Sequence, residues 1–256
     1  MSLKICSLAS GSKGNCCFVS DGHTDILIDL GISTARAEKC LRVLGCDPDA
    51  ISVCVTHSHS DHIGGLKTYN KKHPSVKVFC QRESEYAIKR SAGVTPEVAP
   101  REFNIGTLTV TAIEALHDVP CFGYIISDGN KRVSVMTDVG MLSEKQLVAL
   151  SACDIVMLES NHDRDMLRAN PTYTPMLKAR IASSHGHLSN AACADACAFL
   201  AANGVRNFIL AHLSEENNTQ QLALDEVKKA LDKTGVDGVR VVAATQNEMT
   251  GLFVVC

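Results

Sequence analysis

The sequence has no tryptophan, no Cys-X-X-Cys pair and no long uninterrupted hydrophobic run. A membrane-spanning helix needs about 18 consecutive apolar residues, so the sequence predicts no transmembrane segment. The twelve cysteines are scattered, mostly in or beside apolar stretches, which is typical of small buried hydrophobic residues in a reducing compartment rather than of a disulfide framework. Since the N-terminus also lacks a secretory pattern, we expect a cytoplasmic protein.

The chain also has little net charge. A formal value of −3 at pH 7 argues against a protein that coats nucleic acid through bulk electrostatics, so a polyanionic substrate would have to meet a local basic patch. A chain of 256 residues with 45% hydrophobic content can bury a core, and no linker, repeat or low-complexity segment interrupts it. We predict one domain over residues 1–256, and leave open whether Met1, Ser2 and Leu3 are native.

Three histidines and an aspartate are packed into six residues, 57–62, directly after the apolar run Ile51–Val55. His57 and His59 are two residues apart, so in an extended segment they point the same way and can hold one metal ion. Asp61 and His62 come where the chain turns into a helix, which aims them at a second point nearby. Because each such group would need a polar partner in a core, and nitrogen and oxygen ligands suit zinc, the pattern predicts metal binding.

Further polar residues stand where predicted strands end: His117, Asp138, Glu159 and His212. Open α/β sheets place their sites at such strand ends. One carboxylate, Asp138, can bridge two cations at the spacing of about 3.5–4 Å that two-metal hydrolysis needs. Asp29 ends another strand. We expect it to brace residues 57–62, the histidine loop, rather than bind metal. A buried, internally hydrogen-bonded histidine is the alternative at His117.

Helix signals surround these strand ends. Ser33 can cap a helix that runs to about Leu44, and residues Ile63–His73 predict one helix directly after the histidine loop. The lysine-rich end of that second helix predicts that His73 lies at the surface.

The segment Thr56–Gly65 resembles the His-X-His-X-Asp-His signature of the metallo-β-lactamase superfamily, and Met136–Gly140 resembles its bridging-aspartate motif. The resemblance implies an α/β fold (α+β in some schemes), a four-layer αββα sandwich with a dinuclear site where strands end. It also implies two divalent metal ions, zinc as first choice and manganese as second. The implied ligands are His57, His59 and His117 for one metal, Asp61, His62 and His212 for the other, and Asp138 between them.

Three details point to a branch of this superfamily. β-Lactamases of the superfamily place a Cys or His ligand where this chain has Asp138, so an aspartate favours phosphoesters or thioesters. The Phe122–Tyr124 segment matches the phosphodiesterase branch, and His59 stands where the flavodiiron branch has Glu. The resemblance therefore implies a phosphodiesterase that uses a metal-bridging hydroxide.

Cleavage of a nucleic-acid backbone must also protonate a poor alkoxide leaving group. The resemblance to the ribonuclease Z branch implies that His187 is the general acid and that Glu159 orients it. His185 and His162 are nearby alternatives. His162 is better explained as a substrate-contacting or bracing residue, or as a surface histidine.

Four segments together resemble the YycJ (WalJ) type of bacterial protein over nearly the whole chain, which implies a 5′-to-3′ exonuclease on double-stranded DNA. The segments are Ser10–Asn15, Glu159–Asp163, Leu177–Ile181 and Gly186–Asn190. The glycine-rich first segment either faces an anion or is an ordinary hairpin loop. The predicted substrate contacts are Ser12, Asn15, His162, Lys178, Arg180 and His185.

DNA is thus the expected partner, met by a local basic patch of Arg164, Arg168, Lys178 and Arg180, although charge runs are often only solvated surface. A phosphodiesterase on a small or cyclic phosphoester is the alternative. A non-catalytic nucleic-acid-binding scaffold is less favoured, because the ligand set is kept. The chain lacks room for the tRNA-binding arm of ribonuclease Z, the inserted domain of β-CASP nucleases and the C-terminal region of glyoxalase II. The oligomeric state is left open.

Overall fold

Two seven-stranded sheets form the centre of the molecule, in a computed structural model that describes residues 2–256. Met1, whose origin the sequence leaves open, lies outside the described residues. The first sheet takes its first six strands in chain order: β1 (Leu3–Ala9), β2 (Cys16–Ser20), β3 (Asp25–Ile28), β4 (Ser52–Cys54), β5 (Lys77–Cys80) and β6 (Glu97–Val98). The second sheet takes the next seven: β7 (Glu102–Ile105), β8 (Leu108–Ala115), β9 (Cys121–Ser127), β10 (Arg132–Met136), β11 (Ile155–Glu159), β12 (Asn207–Ala211) and β13 (Arg240–Ala243). The last strand, β14 (Phe253–Val255), returns to the first sheet and pairs with β1.

Each sheet has an antiparallel half and a parallel half. β14, β1, β2 and β3 are antiparallel neighbours, whereas β3, β4, β5 and β6 run parallel. In the second sheet β7 to β10 are antiparallel neighbours and β10 to β13 run parallel. The carboxyl ends of parallel strands share one edge, and the polar residues that follow β3, β4, β10, β11 and β12 meet there.

Helices on the outer faces of the two sheets complete the layers, and short helices lie beside the strand ends. They are α1 (Thr34–Val43), α2 (Ser60–Ile63), α3 (Leu66–Lys72), α4 (Arg82–Ala92), α5 (Glu144–Ser151), α6 (Arg164–Ala169), α7 (Pro175–Ile181), α8 (Asn190–Ala202) and α9 (Gln220–Asp232). The Ser33 hydroxyl accepts a hydrogen bond from the Arg36 amide at 3.4 Å and so caps α1 as predicted.

Apolar side chains divide into three cores. One lies between the first sheet and α1, α3 and α4, and includes Leu41 and Tyr69. A second lies between the two sheets and includes Phe122. A third lies between the second sheet and α5, α8 and α9, and includes Leu200 and Val227. These layers form a four-layer αββα sandwich, so the predicted fold class is confirmed.

The helix predicted over Ile63–His73 is wrong in one respect, because the structure divides it into α2 and α3. The break has a steric cause. The Gly65 amide donates to the Leu30 carbonyl at 2.9 Å, and a Cβ at Gly65 would lie 1.8 Å from the Ile32 carbonyl oxygen. The chain bends at this contact between distant segments, which no local sequence pattern encodes.

The expected surface position of His73 is also wrong, since only 6% of the residue is exposed. Its Nε2 lies 3.0 Å from a Glu38 carboxylate oxygen on α1, and its Nδ1 lies 2.7 Å from Asp49. Lys72 also pairs with Glu38 at 2.6 Å. Two carboxylates on distant segments thus satisfy both ring nitrogens of a buried histidine.

No disulfide links any two cysteines among residues 2–256. All of the cysteines except Cys46 and Cys256 are buried. Cys193 and Cys197 lie one turn apart on α8 with their sulfurs 4.0 Å apart, packed in the outer core of the second sheet. Within residues 2–256, each helix is either too short or too polar to cross a bilayer.

Candidate metal centre

Three histidines from the histidine loop and the end of β8 meet at one point. Nitrogens of His57, His59 and His117 lie within 4.8 Å of one another. His57 is fully buried, and its Nε2 has no hydrogen-bond partner among residues 2–256. A buried imidazole nitrogen without a partner is costly, and it faces other nitrogen donors here. The arrangement fits a divalent cation.

A second group lies beside the first. Donor atoms of Asp61, His62 and His212 also lie within 4.8 Å of one another. Asp61 Oδ2 is 3.5 Å from His62 Nε2 and 3.4 Å from His212 Nε2. Asp61 and His62 lie in α2, which follows β4 of the first sheet, and His212 follows β12 of the second, so both sheets contribute to this group.

Asp138 lies between the two groups. One carboxylate oxygen of Asp138 and one nitrogen each of His57 and His62 lie within 4.8 Å of one another. An Asp138 oxygen is also 3.9 Å from His117 Nε2. Its Oδ2 is 3.1 Å from His62 Nε2 but makes no hydrogen bond with it, and it is buried without a partner. Burial raises the pKa of this carboxyl, but the neighbouring His212 and His62 outweigh it and hold the pKa well below its usual range. A buried, unpartnered carboxylate among imidazoles fits a position between two cations.

Asp29 lies beneath the second group rather than in the cavity. One of its oxygens is 2.7 Å from His62 Nδ1, and both oxygens accept hydrogen bonds from Thr56, one from its amide and one from its hydroxyl, each at 2.8 Å. The carboxylate therefore fixes the orientation of the His62 ring, which leaves Nε2 to face the centre.

Glu159, at the end of β11, is completely buried and holds two histidines. Its Oε1 lies 2.8 Å from Nδ1 of both His187 and His212. Its Oε2 accepts hydrogen bonds from the amides of Val139 at 2.9 Å and Leu188 at 3.2 Å. Burial raises the pKa of Glu159, but the His187 contact outweighs it and lowers the pKa to about 2. Glu159 is therefore an ionised positioning residue that does not reach the cavity.

His187 stands at the rim, where its side chain is 19% exposed. Burial lowers the pKa of its imidazole, but the Glu159 carboxylate outweighs burial and raises it. The ring lines two adjoining cavities. One, of about 250 Å³, lies over the metal-site residues, and the other, of about 460 Å³, lies behind His187.

The predicted substrate contacts divide between these cavities. Ser12, Arg180 and His185 line the cavity over the metal-site residues. Lys178 and His162 line the cavity behind His187.

Asn15 belongs to neither set, so a direct substrate contact does not fit its position. The residue is only 6% exposed, and its Nδ2 lies 3.0 Å from His62 Nε2 and 3.3 Å from Asp61 Oδ2. Its Oδ1 accepts from the Gly11 amide at 2.9 Å. The glycine-rich loop thus supports the metal-site residues from below.

Sequence reasoning missed Asp118 and Gly31. Asp118 Oδ1 lies 3.2 Å from His117 Nε2 and 3.3 Å from His59 Nε2, and its Oδ2 is 3.3 Å from Arg180. The signal was a carboxylate directly after a strand-end histidine. A Cβ at Gly31 would lie 1.7 Å from the Asp61 carbonyl oxygen, a long-range contact without a sequence signal.

Comparison with known proteins gives a consistent result. Residues 23–213 match the family described as the β-lactamase superfamily domain. The chain is similar to exodeoxyribonuclease YycJ of Bacillus anthracis, with 31% identity over 244 residues that cover 92% of this chain and 91% of that protein. It is also similar to exodeoxyribonuclease WalJ of Streptococcus pneumoniae, at 29% identity over 86% of this chain and 85% of that protein.

Solved structures share the fold at low identity. The metallo-β-lactamase fold protein YhfI of Bacillus subtilis superposes with a TM-score of 0.71 at 16% identity over 100% of both chains. A diphosphatase of the PhnP family gives 0.68 at 14% identity over 100% of this chain and 99% of that one. The short form of human tRNase Z gives 0.63 at 14% identity, over 97% of this chain and 98% of that one. At such identities the likeness supports the fold alone.

Proposed function

The chain belongs to the β-lactamase superfamily and is a metal-dependent hydrolase, and from this premise we propose that it is a 5′-to-3′ exonuclease on double-stranded DNA. The relatives at about 30% identity that cover most of the chain support the nuclease assignment. The structural observation that carries the proposal is His187, held at the rim by buried Glu159 and directed toward the cavity over the metal-site residues.

The residues proposed to hold two divalent cations, zinc first and manganese second, form two sets with one shared member. They are His57, His59 and His117 for one cation, Asp61, His62 and His212 for the other, and Asp138 for both. When bound, the cations would neutralise charge on the phosphoryl oxygens and lower the pKa of water toward neutrality. Asp29, Asn15 and Glu159 orient these ligands from below.

His187 is proposed to protonate the leaving oxygen. Its Nδ1 faces the Glu159 carboxylate at 2.8 Å, so the proton available to substrate is held at Nε2. As the bond between phosphorus and the 3′ oxygen breaks, that oxygen takes the proton from Nε2, and the imidazole becomes neutral. The adjacent carboxylate stabilises the protonated ring before the transfer.

Side chains on the cavity wall would place the DNA. Ser12, His185 and Arg180 line the cavity over the metal-site residues, where a hydroxyl, an imidazole and a guanidinium can contact phosphate oxygens. Arg180 also pairs with Asp118 at 3.3 Å, so a phosphate would compete with that carboxylate.

Duplex DNA labelled at either the 5′ or the 3′ end tests the proposal. Protein supplied with zinc or manganese should release labelled mononucleotide at once from the 5′-labelled strand and only late from the 3′-labelled strand. A chelator should stop both reactions, and the Asp138→Asn variant, prepared in parallel, controls for contaminating nucleases. Early release of the 3′ label, or internal cuts, would contradict the assigned polarity.

A small or cyclic phosphoester is the second candidate substrate. The cavity over the metal-site residues is only about 250 Å³, and a net charge of −3 gives no general attraction for DNA. Hydrolysis of a cyclic dinucleotide by protein that leaves duplex DNA intact would favour this candidate.

A further inference from the structure

The cavity behind His187 is a separate space with its own wall. It has a volume of about 460 Å³, within the range of about 300–1,000 Å³ typical of small-molecule sites. Its wall includes small or apolar side chains from α6, α7, α8 and the residue that follows α7, namely Leu167, Ala179, Ala192 and Ala182. Such a wall can pack against a sugar or a base.

The rim of this cavity is basic. Arg164, Arg168 and Lys178 line it, and Arg164 makes no ion pair among residues 2–256. Lys178 donates to the Arg168 carbonyl oxygen at 2.7 Å, a neutral partner that leaves its charge uncompensated. Arg168 pairs at 2.8 Å with Asp165, and a pair so exposed contributes little.

His162 adds a buried polar group to the same wall. The residue is 2% exposed, and its Nδ1 has no hydrogen-bond partner within the described chain. Burial lowers the pKa of its imidazole to about 4, so the ring is neutral near pH 7. A buried polar atom without a partner indicates a site for a polar ligand.

Helix α7 divides the basic residues between the two cavities. Arg180 lines the cavity over the metal-site residues, whereas Lys178, two positions earlier, lines the cavity behind His187. His187 is the residue that stands in both walls. A leaving oxygen that contacts the His187 ring therefore lies next to the cavity behind His187, which is open space beyond the metal-site residues.

We propose that the cavity behind His187 receives the 5′-terminal nucleotide of the DNA strand, with its 5′-phosphate bound by Arg164, Arg168 and Lys178. This inference rests on the proposed exonuclease function. In 5′-to-3′ digestion the departing group is the terminal nucleotide, which carries the 5′-phosphate. Its sugar and base lie against the apolar wall beside His162, and the cavity accommodates one nucleotide rather than a duplex.

The first test compares duplexes that end in a 5′-phosphate or a 5′-hydroxyl. Wild-type protein should release the first nucleotide about tenfold or more faster from the phosphorylated end, as expected for charge-assisted hydrogen bonds to the phosphate. Arg164→Gln and Lys178→Met should each reduce this preference, by slowing the phosphorylated substrate more than the hydroxyl one. Bis-p-nitrophenyl phosphate, which lacks a terminal nucleotide, is the reference substrate, and the loss on the phosphorylated end should exceed any loss on it. Lys229→Gln on α9, an exposed residue that lines neither cavity, is the matched control.

The second test measures binding without cleavage. Calorimetric titration with 2′-deoxyadenosine 5′-monophosphate should give at least tenfold tighter binding than deoxyadenosine, and Arg164→Gln should remove the difference. Degradation of both DNA ends at equal rates, with nucleotide binding unchanged in the variants, would overturn the cavity assignment and leave the exonuclease intact. Nucleotide binding that depends on Arg164 in a protein that degrades no DNA would instead overturn the exonuclease and leave the cavity assignment intact.

Discussion

Asp29, Asp138 and His212 share a backbone conformation as well as a location. Their φ angles are 62°, 57° and 55°, and no other non-glycine residue among residues 2–256 has a positive φ. Each follows a parallel strand of one of the two sheets. A left-handed conformation disfavours side chains with a Cβ and costs on the order of 1–3 kcal/mol in such positions. Backbone strain among residues 2–256 is therefore concentrated at the candidate metal centre.

Asp138→Asn isolates the charge of the central carboxylate. Asparagine tolerates the left-handed conformation, so the fold should persist, while the loss of a shared ligand should reduce activity on every phosphodiester. The loss should exceed the about 10–100-fold that removal of an outer partner of a ligand costs. Steady-state rates on duplex DNA and on bis-p-nitrophenyl phosphate measure it, with circular dichroism to verify folding. Normal activity in the folded variant would refute the shared role.

His187→Ala separates leaving-group protonation from the rest of the reaction. DNA cleavage should fall by about 10²–10⁴-fold, the usual contribution of general acid catalysis. Bis-p-nitrophenyl phosphate should be nearly unaffected, because p-nitrophenolate leaves without a proton. Parallel rate measurements on the two substrates decide the point, and equal losses on both would count against a general acid at this position.

At the scale of helices and strands, the sequence predicts best what is local. The strand–histidine and strand–aspartate junctions were evident at Thr56, Asp138 and His212, because a short apolar run and its polar end are adjacent in the chain. The sequence does not predict the split between α2 and α3 or the burial of His73, because both depend on contacts between segments far apart in sequence. Helices α6 and α7 were also missed, since they are short and their faces bury few side chains.

Gly31→Ala tests how α2 is positioned. The added Cβ would lie 1.7 Å from the Asp61 carbonyl oxygen and 2.8 Å from the Asn15 amide nitrogen, so the first turn of α2 must move. We expect a loss of about 1–3 kcal/mol in the free energy of unfolding, together with weaker binding of the metal that Asp61 is proposed to hold. Urea denaturation and metal titration measure the two effects.

The matched control is Gly251→Ala, because a Cβ at Gly251 meets nothing within 4 Å. That variant should match the wild type in both assays. Wild-type metal affinity in Gly31→Ala would mean that the contact has no influence on the centre.

His73→Gln tests the pH dependence of the contact between α1 and α3. Burial lowers the pKa of His73, but hydrogen bonds to Glu38 and Asp49 outweigh it and raise the pKa. The stability that His73 contributes is therefore complete below its unfolded pKa of about 6.5 and is lost as the pH rises through the folded pKa. The pKa of Glu38 is lowered to about 2, chiefly by hydrogen bonds to Lys72 and His73, so its contribution is present above about pH 4.5 and lost as the pH falls toward 2.

Both contributions are present together between about pH 4.5 and 6.5. The free energy of unfolding of the wild type should exceed that of His73→Gln by about 1–3 kcal/mol at pH 5.5 and by less at pH 9. Urea denaturation at the two pH values measures this difference. A difference that stays constant from pH 5.5 to pH 9 would contradict the assignment of the ion pair.

At the scale of the whole molecule, the candidate metal centre lies between the two sheets. The histidine loop extends from the first sheet, whereas His117, Asp138 and His212 extend from the second. Bound cations would therefore connect the two layers of the sandwich in addition to their chemical role.

Metal removal should consequently lower the thermal stability of the entire chain. A ligand present at 1,000 times its Kd stabilises the folded state by about 4 kcal/mol, which corresponds to roughly 10 °C in Tm for a chain of this size. Differential scanning calorimetry before and after chelation, and after metal is restored, measures the change. Asp138→Asn should lose most of the increase in Tm that metal gives the wild type. His73→Gln should keep that increase, although its Tm without metal should be lower than that of the wild type. An unchanged Tm after complete removal of metal would exclude a cross-link between the sheets.

The pairing of β14 with β1 has a consequence for protein synthesis. Leu3 pairs with Val255, and the Ser7 amide donates to the Thr250 hydroxyl at 2.9 Å, so β1 is completed by a segment that is synthesised long after it. Until β14 has been synthesised, the outer edge of β1 exposes unpaired amide and carbonyl groups, which are a template for association with other nascent chains. A ribosome-bound chain stalled before residue 250 should therefore depend on chaperones more than the released protein does.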